Sequence, residues 1–261
     1  MNIFQAILLG VIEGVTEYLP ISSTFHLIWG AKLMGIGQTD FLKMFEVVIQ
    51  SGAILAVVAL YLRTVLKDVK LLQKVIVSFV PTALVGLVLY KIIKDVFFEN
   101  LWLQISVFIL VGVFFIIFEK RRQKKKTEKS ANQINYPEAV LIGLAQATAV
   151  IPGVSRAGAV IVAMLILGVK REEAAKYSFL LAVPTLLAAS GLELFKSRTI
   201  LFGQIHNMGL LLVGFLVSFI SAFIVVKWFV SYLSKHDMAI FGWYRLGLAL
   251  ILLKTYFLWY N

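Results

Sequence analysis

Apolar residues in this chain fall into runs close to the ~20 residues that cross a bilayer as a helix, with polar residues gathered between the runs. Six segments have this form and predict full transmembrane helices: 44–62, 75–93, 102–118, 177–194, 208–226 and 240–257. Two further regions, 3–36 and 137–168, are apolar but broken near the centre by a polar turn containing proline. Each predicts two short helices that meet at the break. Non-helical backbone survives at membrane depth only where protein buries it or it lines a cavity. Both regions are therefore expected to be re-entrant helical hairpins. The expected fold is an all-α polytopic membrane protein, with 1–261 as one integral membrane domain.

Composition agrees. Hydrophobic residues make up 60% of the 261, and the mean hydropathy of +0.90 lies outside the range of soluble domains. The first apolar run holds Gln5, Glu13 and Glu17 and has no basic leader or small-residue cleavage site, so no secretory signal is expected. With no cysteine, disulfides, thiolate metal sites and cysteine nucleophiles are excluded. The net charge of +11 would suit a nucleic-acid partner if it formed a patch. Instead, seven of the 25 basic residues lie between Lys120 and Lys129, in a loop that reads as solvated and set beside anionic lipid. No nucleic-acid partner is expected.

Orientation follows from the same charges. Loops 63–74, 119–135, 169–176 and 227–238 fall on one side by alternation and hold 16 of the 25 basic residues. An excess of Lys and Arg marks the cytoplasmic side, which puts both termini outside. The first hairpin then enters from outside and the second from inside, and three spans follow each. Three is odd, so the half-repeats 1–118 and 136–261, joined by the basic cytoplasmic loop 119–135, have opposite orientation. Setting Pro20 on Pro152 superposes Ser23 on Ser155 and Thr24 on Arg156, and Gly10 matches Gly143 with one residue gapped. This is the pattern of an inverted-topology repeat, which places broken helices and a site near the midplane.

The two polar turns carry the candidate chemistry. Glu13 and Glu17 are four residues apart, so one helix face presents both, close enough to share a metal or a proton. Two carboxylates in a low-dielectric site cannot both stay ionised without a compensating cation. That leaves an oxygen-ligated divalent ion, or an acid beside a base; a solvated helix end at the outer interface is the plainer alternative. Ser22, Ser23 and Thr24 follow Pro20 and can start a new helix, with Ser22 and Thr24 read as caps. N–H groups at such a start bind anions. His26 shares a face with Ser23 and a turn with two acids, which favours function over packing.

In Pro152-Gly153-Val154-Ser155-Arg156, an arginine at the start of a buried half-helix needs a carboxylate or phosphate partner, and its fork suits phosphate. Gly153 lets the backbone approach a ligand closely. The alternative is an internal pair of Arg156 with Glu13 or Glu17. Together these groups suit phosphoryl transfer. With no P-loop in the sequence, nucleotide-driven chemistry is not expected, and a site open to the bilayer would take a lipid-linked phosphate. Glu46 and Gln50 are expected to support the site from behind, Arg245 to snorkel, and Pro81 and Pro184 to kink their helices.

These residues resemble the undecaprenyl-diphosphate phosphatase family, also called bacitracin-resistance proteins. Four stretches carry the resemblance, in the family's order and over nearly the whole length: Glu13-Gly-Val-Thr-Glu17-Tyr-Leu-Pro-Ile-Ser-Ser23-Thr-Phe-His26-Leu, Phe45-Glu-Val-Val-Ile-Gln50-Ser-Gly-Ala-Ile-Leu-Ala-Val, Pro152-Gly-Val-Ser155-Arg156-Ala-Gly and Ser178-Phe-Leu-Leu-Ala-Val-Pro184. The resemblance implies hydrolysis of undecaprenyl diphosphate to undecaprenyl phosphate and inorganic phosphate, which recycles the carrier for peptidoglycan synthesis and confers bacitracin resistance. It implies a multi-pass protein of the bacterial inner (plasma) membrane, with its site toward the outer face.

It also implies a divalent cation, Mg2+ or Ca2+, held by Glu13 and Glu17. Glu17, Ser23, His26 and Arg156 become the catalytic set, with Ser23, His26 or a water as nucleophile. Ser22, Gly153, Ser155 and Arg156 become the substrate contacts. The partners implied are the polyprenyl diphosphate and membrane lipid, and a homodimer is compatible with them. A polyprenyl-phosphate transporter or flippase is the rival reading, and a non-catalytic membrane scaffold a third. Three positions depart from the family pattern: Phe25 stands for Gly, Ala157 for Ser and Ser51 for Leu. Phe25 is expected to narrow the mouth of the site or touch the lipid tail, and Ala157 to remove a phosphate hydrogen bond.

Overall fold

The computed structural model describes residues 1–89, 100–122, 129–199 and 205–260. Lys124, Lys125 and Lys126 of the basic loop, and the last four residues of the expected span 75–93, lie outside the described residues. The helices, in chain order, are α1 Ile3–Thr16, α2 Ser23–Leu33, α3 Asp40–Val48, α4 Gln50–Lys67, α5 Val69–Val88 and α6 Leu101–Arg121. The second half continues with α7 Tyr136–Ala147, α8 Arg156–Ile166, α9 Arg171–Lys196, α10 Ile205–Leu233 and α11 Ala239–Tyr260.

Five stretches of the described residues are long and apolar enough to cross a membrane: Asp40–Arg63, Val69–Val88, Leu101–Arg121, Arg171–Lys196 and Asn207–Leu233. Four of them contain the expected spans 44–62, 102–118, 177–194 and 208–226 and run further; Val69–Val88 covers 75–93 only to residue 88, and the expected span 240–257, in α11, is not among the five. α10 continues beyond residue 226, where Lys227 sets its Nζ 4.2 Å from the Phe223 ring centroid. The first of the five is interrupted at Ile49, so it forms two helices rather than one.

The two broken regions fold as expected at their breaks. α1 and α2 meet through residues 17–22, and α7 and α8 through a 3-10 turn at Thr148–Val150 and the residues after it. With 14, 11, 12 and 11 residues, these helices are too short to span singly. A constant offset of 133 relates the two regions. Asn2 and Asn135 each open a capping box, with Gln5 and Glu138 as the return partners. α2 begins at Ser23 and α8 at Arg156, and Gly35 and Gly168, just past their ends, both have positive φ. Buried Glu13 falls opposite buried Gln146.

The register differs by one residue from the proline-based alignment, because Pro20 precedes its helix by three residues and Pro152 by four. Ser22, rather than Ser23, takes the place of Ser155. Packing repeats the relation: α1 lies on α10 as α7 lies on α5, α4 on α10 as α9 on α5, and α6 pairs with α11. Small residues permit these approaches. A Cβ at Gly10 would stand 2.7 Å from the Gly214 carbonyl oxygen, and one at Gly143 would strike the Ser78 carbonyl. Where lipid is as apolar as the side chains, such close packing holds helices together.

Candidate active site

The two turns face each other, and each is tied to the other half. Ser22 (φ 67°) and Ser155 (φ 71°) are the non-glycine residues of positive φ among those described. Such backbone costs roughly 1–3 kcal/mol and persists only where its surroundings fix it. Here hydrogen bonds do so. The Gly153 N–H donates to Ser22 Oγ at 3.2 Å, and Ser155 Oγ donates to the Leu19 carbonyl at 3.4 Å. Ser155 also caps its own helix by accepting from the Gly158 N–H. Ser22 makes no side-chain bond to its own helix, so the cap expected from sequence is spent on the opposite turn instead.

Between the turns lies a polar chamber of about 150 Å3, lined by Glu17, Ser22, Ser23, Thr24, Ser155 and Arg156 together with Gln50, Thr82, Gln146 and Thr185. Glu17 is its hub. Oε1 accepts from Arg156 Nη2 at 2.8 Å and Oε2 from Ser23 Oγ. The ion pair joins the halves and is nearly dry, with side chains 9% and 4% exposed. Arg156 Nη1 donates to the Ser178 carbonyl, its guanidinium carbon lies 5.8 Å from the Tyr18 ring, and its buried Nε has no protein partner. Glu13, one turn before Glu17, is fully buried, and neither of its oxygens has a partner.

The donor set fits a hard divalent cation. Glu13 lies behind the chamber lining, one turn before Glu17, and its two buried oxygens are unsatisfied. No group of three or more His, Cys, Asp or Glu able to hold an ion occurs among the described residues. Two carboxylates would leave the rest of the shell of Mg2+ or Ca2+ to phosphate and water oxygens.

Other expected residues fall elsewhere. The ring nitrogens of His26 are both engaged outside the chamber: Nδ1 with the Ser22 carbonyl and Nε2 with the Tyr244 hydroxyl, each at 2.8 Å. Gly153 (φ 103°) faces α6, where a Cβ would lie 3.0 Å from the Gln104 carbonyl oxygen, so its freedom serves the turn and the close approach of α6. Phe25 is fully buried and stacked on Phe108, with centroids 3.9 Å apart, and neither narrows nor lines the chamber. Ala157 is likewise buried outside the chamber lining. Gln50 lines the chamber, whereas Glu46 is buried outside it with one oxygen unpartnered.

Arg245 overturns its expectation outright. It does not snorkel: it is fully buried, and it donates to the carbonyls of Pro20 (3.0 Å), Gly153 (2.6 Å) and Val154 (3.3 Å). Its guanidinium packs against Phe108 and Phe115. Two helix breaks buried in an apolar protein leave carbonyls that no helix satisfies, and this one residue serves both turns. Thr82 and Thr185 were also missed. Gln146 Nε2 donates to both hydroxyls. A signal existed: Val80-Pro81-Thr82-Ala-Leu84 and Val183-Pro184-Thr185-Leu-Leu187 repeat one pattern, so the prolines do more than kink helices.

Residues 6–251 match the family model described as bacitracin resistance protein BacA. The chain belongs to the bacitracin resistance protein BacA family. The BacA match runs from α1 into α11 and takes in both turns. Among its relatives, the undecaprenyl-diphosphatase of Aquifex aeolicus is 42% identical over 251 residues, covering 96% of this chain and 97% of the relative. That of Sulfurihydrogenibium sp. is 42% identical over the full length of both chains. That of Wolinella succinogenes is 45% identical over 254 residues, covering 97% of this chain and 98% of the relative.

Proposed function

We propose that this chain is an integral membrane hydrolase that cleaves undecaprenyl diphosphate to undecaprenyl phosphate and inorganic phosphate, recycling the lipid carrier for cell-wall synthesis and conferring bacitracin resistance. The observation that carries the reading is the Glu17 carboxylate, held at once by Ser23 of its own half and Arg156 of the other inside a buried chamber. Ser23 Oγ attacks the terminal phosphorus and passes its proton to Glu17. The bond from phosphorus to the bridging oxygen breaks, and undecaprenyl phosphate leaves. Glu17 hands that proton to the departing phosphate, takes one from a water that attacks the phosphorus on Ser23, and returns it to Ser23 Oγ as the P–Oγ bond breaks and inorganic phosphate leaves. Arg156 stabilises the phosphoryl oxygens, and its unpartnered Nε adds a donor. Glu13 and Glu17 would hold Mg2+ or Ca2+, and the cation supplies charge neutralisation on the diphosphate. Ser22 and Ser155 shape the substrate side of the chamber. His26 acts through the Ser22 carbonyl, as a positioning residue.

The finer architecture belongs to the same proposal: six transmembrane helices and two re-entrant hairpins as an inverted repeat in the bacterial inner membrane, with the site toward the outer face. The 133-residue offset and the exchange-symmetric packing support it. The same symmetry favours a second reading, a polyprenyl-phosphate transporter, since inverted repeats with broken helices are common there. Phosphate release from undecaprenyl diphosphate by purified protein in detergent, where transport has no meaning, separates the two. Release with Mg2+ that is lost on chelation and in Glu17→Gln and Arg156→Ala is expected. A well-folded wild type that releases none with any cation would sink the hydrolase.

A further inference from the structure

The polar chamber holds a group that the proposed steps leave idle. Gln146, in the last turn of α7, lines the chamber and is only 1% exposed. Its Nε2 donates to Thr82 Oγ1 at 2.8 Å and to Thr185 Oγ1 at 3.1 Å. Each of those hydroxyls spends its single proton on a backbone carbonyl, Thr82 on Gly143 at 3.0 Å and Thr185 on Leu181 at 2.8 Å. Toward Gln146 both can therefore only accept. This network fixes which way round the amide lies: both N–H bonds are taken, and the carbonyl oxygen is the free end. That Oε1 is buried and has no partner.

A free acceptor is ill matched to a diphosphate, whose outer oxygens are themselves acceptors at neutral pH. It needs a donor, and the donor that the reaction brings into the chamber is water. Glu17, from the other half, lines the same chamber and takes one proton of the water that attacks the phosphorus on Ser23. We infer that Gln146 is a catalytic residue of that second step: its Oε1 accepts a hydrogen bond from the other proton of the water and so aims the water oxygen at phosphorus. This rests on the phosphatase reading above. In the step, the water oxygen bonds to phosphorus, the P–Oγ bond breaks with its electron pair on Ser23, and Glu17 carries one proton from the water to Oγ. The proton facing Gln146 stays on its oxygen and departs in inorganic phosphate. The 133-residue offset sets Gln146 on Glu13, and an amide at that place serves the water without adding negative charge to an anion site.

The test follows undecaprenyl diphosphate radiolabelled in its terminal phosphate, with the full chain in detergent and Mg2+, for wild type, Gln146→Met and Thr185→Val. Two readouts are taken: the label left on Ser23 after acid quench, and the split of label between inorganic phosphate and glycerol phosphate when glycerol competes with water. Gln146→Met keeps the side-chain volume and loses the acceptor. It should lower kcat about a hundredfold, hold label on Ser23, and raise the glycerol share of the product about tenfold, because a misaligned water loses to an added acceptor. Thr185→Val frees one end of the amide and should move the split the same way by about threefold. A general loosening of the fold slows both steps and moves neither the label nor the split. Should Gln146→Met fail to fold, the split in Thr185→Val decides. A wild-type label and split in the folded variants overturns the inference whatever their kcat, while phosphate release by wild type keeps the phosphatase. A well-folded wild type that releases no phosphate overturns both.

Discussion

Arg245 gives up its hydrogen bonds to three backbone carbonyls drawn from both turns, whereas Arg156 holds a carboxylate and keeps one nitrogen unpartnered. The first is a brace and the second a binding group, and substitution should tell them apart. Arg245→Met leaves buried carbonyls unserved, at about 1–3 kcal/mol for each group stranded. It should lower the unfolding temperature in detergent by several degrees and abolish phosphate release with it; an unchanged melt would contradict the brace. Tyr244 offers a subtler case. Because Nδ1 of His26 faces the Ser22 carbonyl, it carries the proton, so Nε2 accepts from the Tyr244 hydroxyl. Tyr244→Phe keeps the ring stack on His26 and removes only that bond. It should lower kcat about five- to tenfold with KM nearly unchanged, since a loosened turn harms alignment more than affinity. A risen KM at constant kcat would instead make the tyrosine a substrate contact.

At the level of elements, glycines in helices are not alike. Gly143 lets α7 press against the Ser78 carbonyl of α5, and Gly86 on that same α5 faces open space. Gly143→Val should therefore destabilise the fold and separate the second turn from α5, with a lowered unfolding temperature. Gly86→Ala should be neutral or stabilising by about 0.5–1 kcal/mol, the ordinary gain of removing a helical glycine. Thermal unfolding of the two variants side by side checks the contrast; equal losses would mean the close approach carries no weight. The broken helices follow the same logic. α2 and α8 both begin at residues fixed by a positive-φ serine, and both serines are bonded across to the other half. Neither turn is held by its own residues alone.

Across the whole molecule, the chain has no cysteine, so single cysteines report topology without a background. If the basic loops face the cytoplasm, Gly37→Cys should react with a membrane-impermeant maleimide in intact spheroplasts, and Ser234→Cys only after permeabilisation. Labelling of both from the same side would break the inverted arrangement, because Gly37 follows the first hairpin and Ser234 lies between α10 and α11. The packing that relates α1 with α10 to α7 with α5 is what brings Glu17 of one turn to Arg156 of the other.

Hydropathy alone determined the helical class, the places of five long apolar helices though not their ends, and the two breaks, because in lipid every backbone group must be bonded within its own helix or buried. The clustered polar residues of the turns likewise stood out in an apolar chain, and the fold gathers Glu17, Ser23 and Arg156 of them at one chamber, with Glu13 behind it. Tertiary structure decided the rest. A sequence cannot say that His26 turns toward Tyr244, 218 residues away, or that Arg245, 225 residues beyond Pro20, reaches back to its carbonyl. It cannot say that Gly153 serves α6 rather than a ligand. Those outcomes depend on which unsatisfied carbonyls and which gaps the packed helices leave behind, and these exist only once the two halves have met.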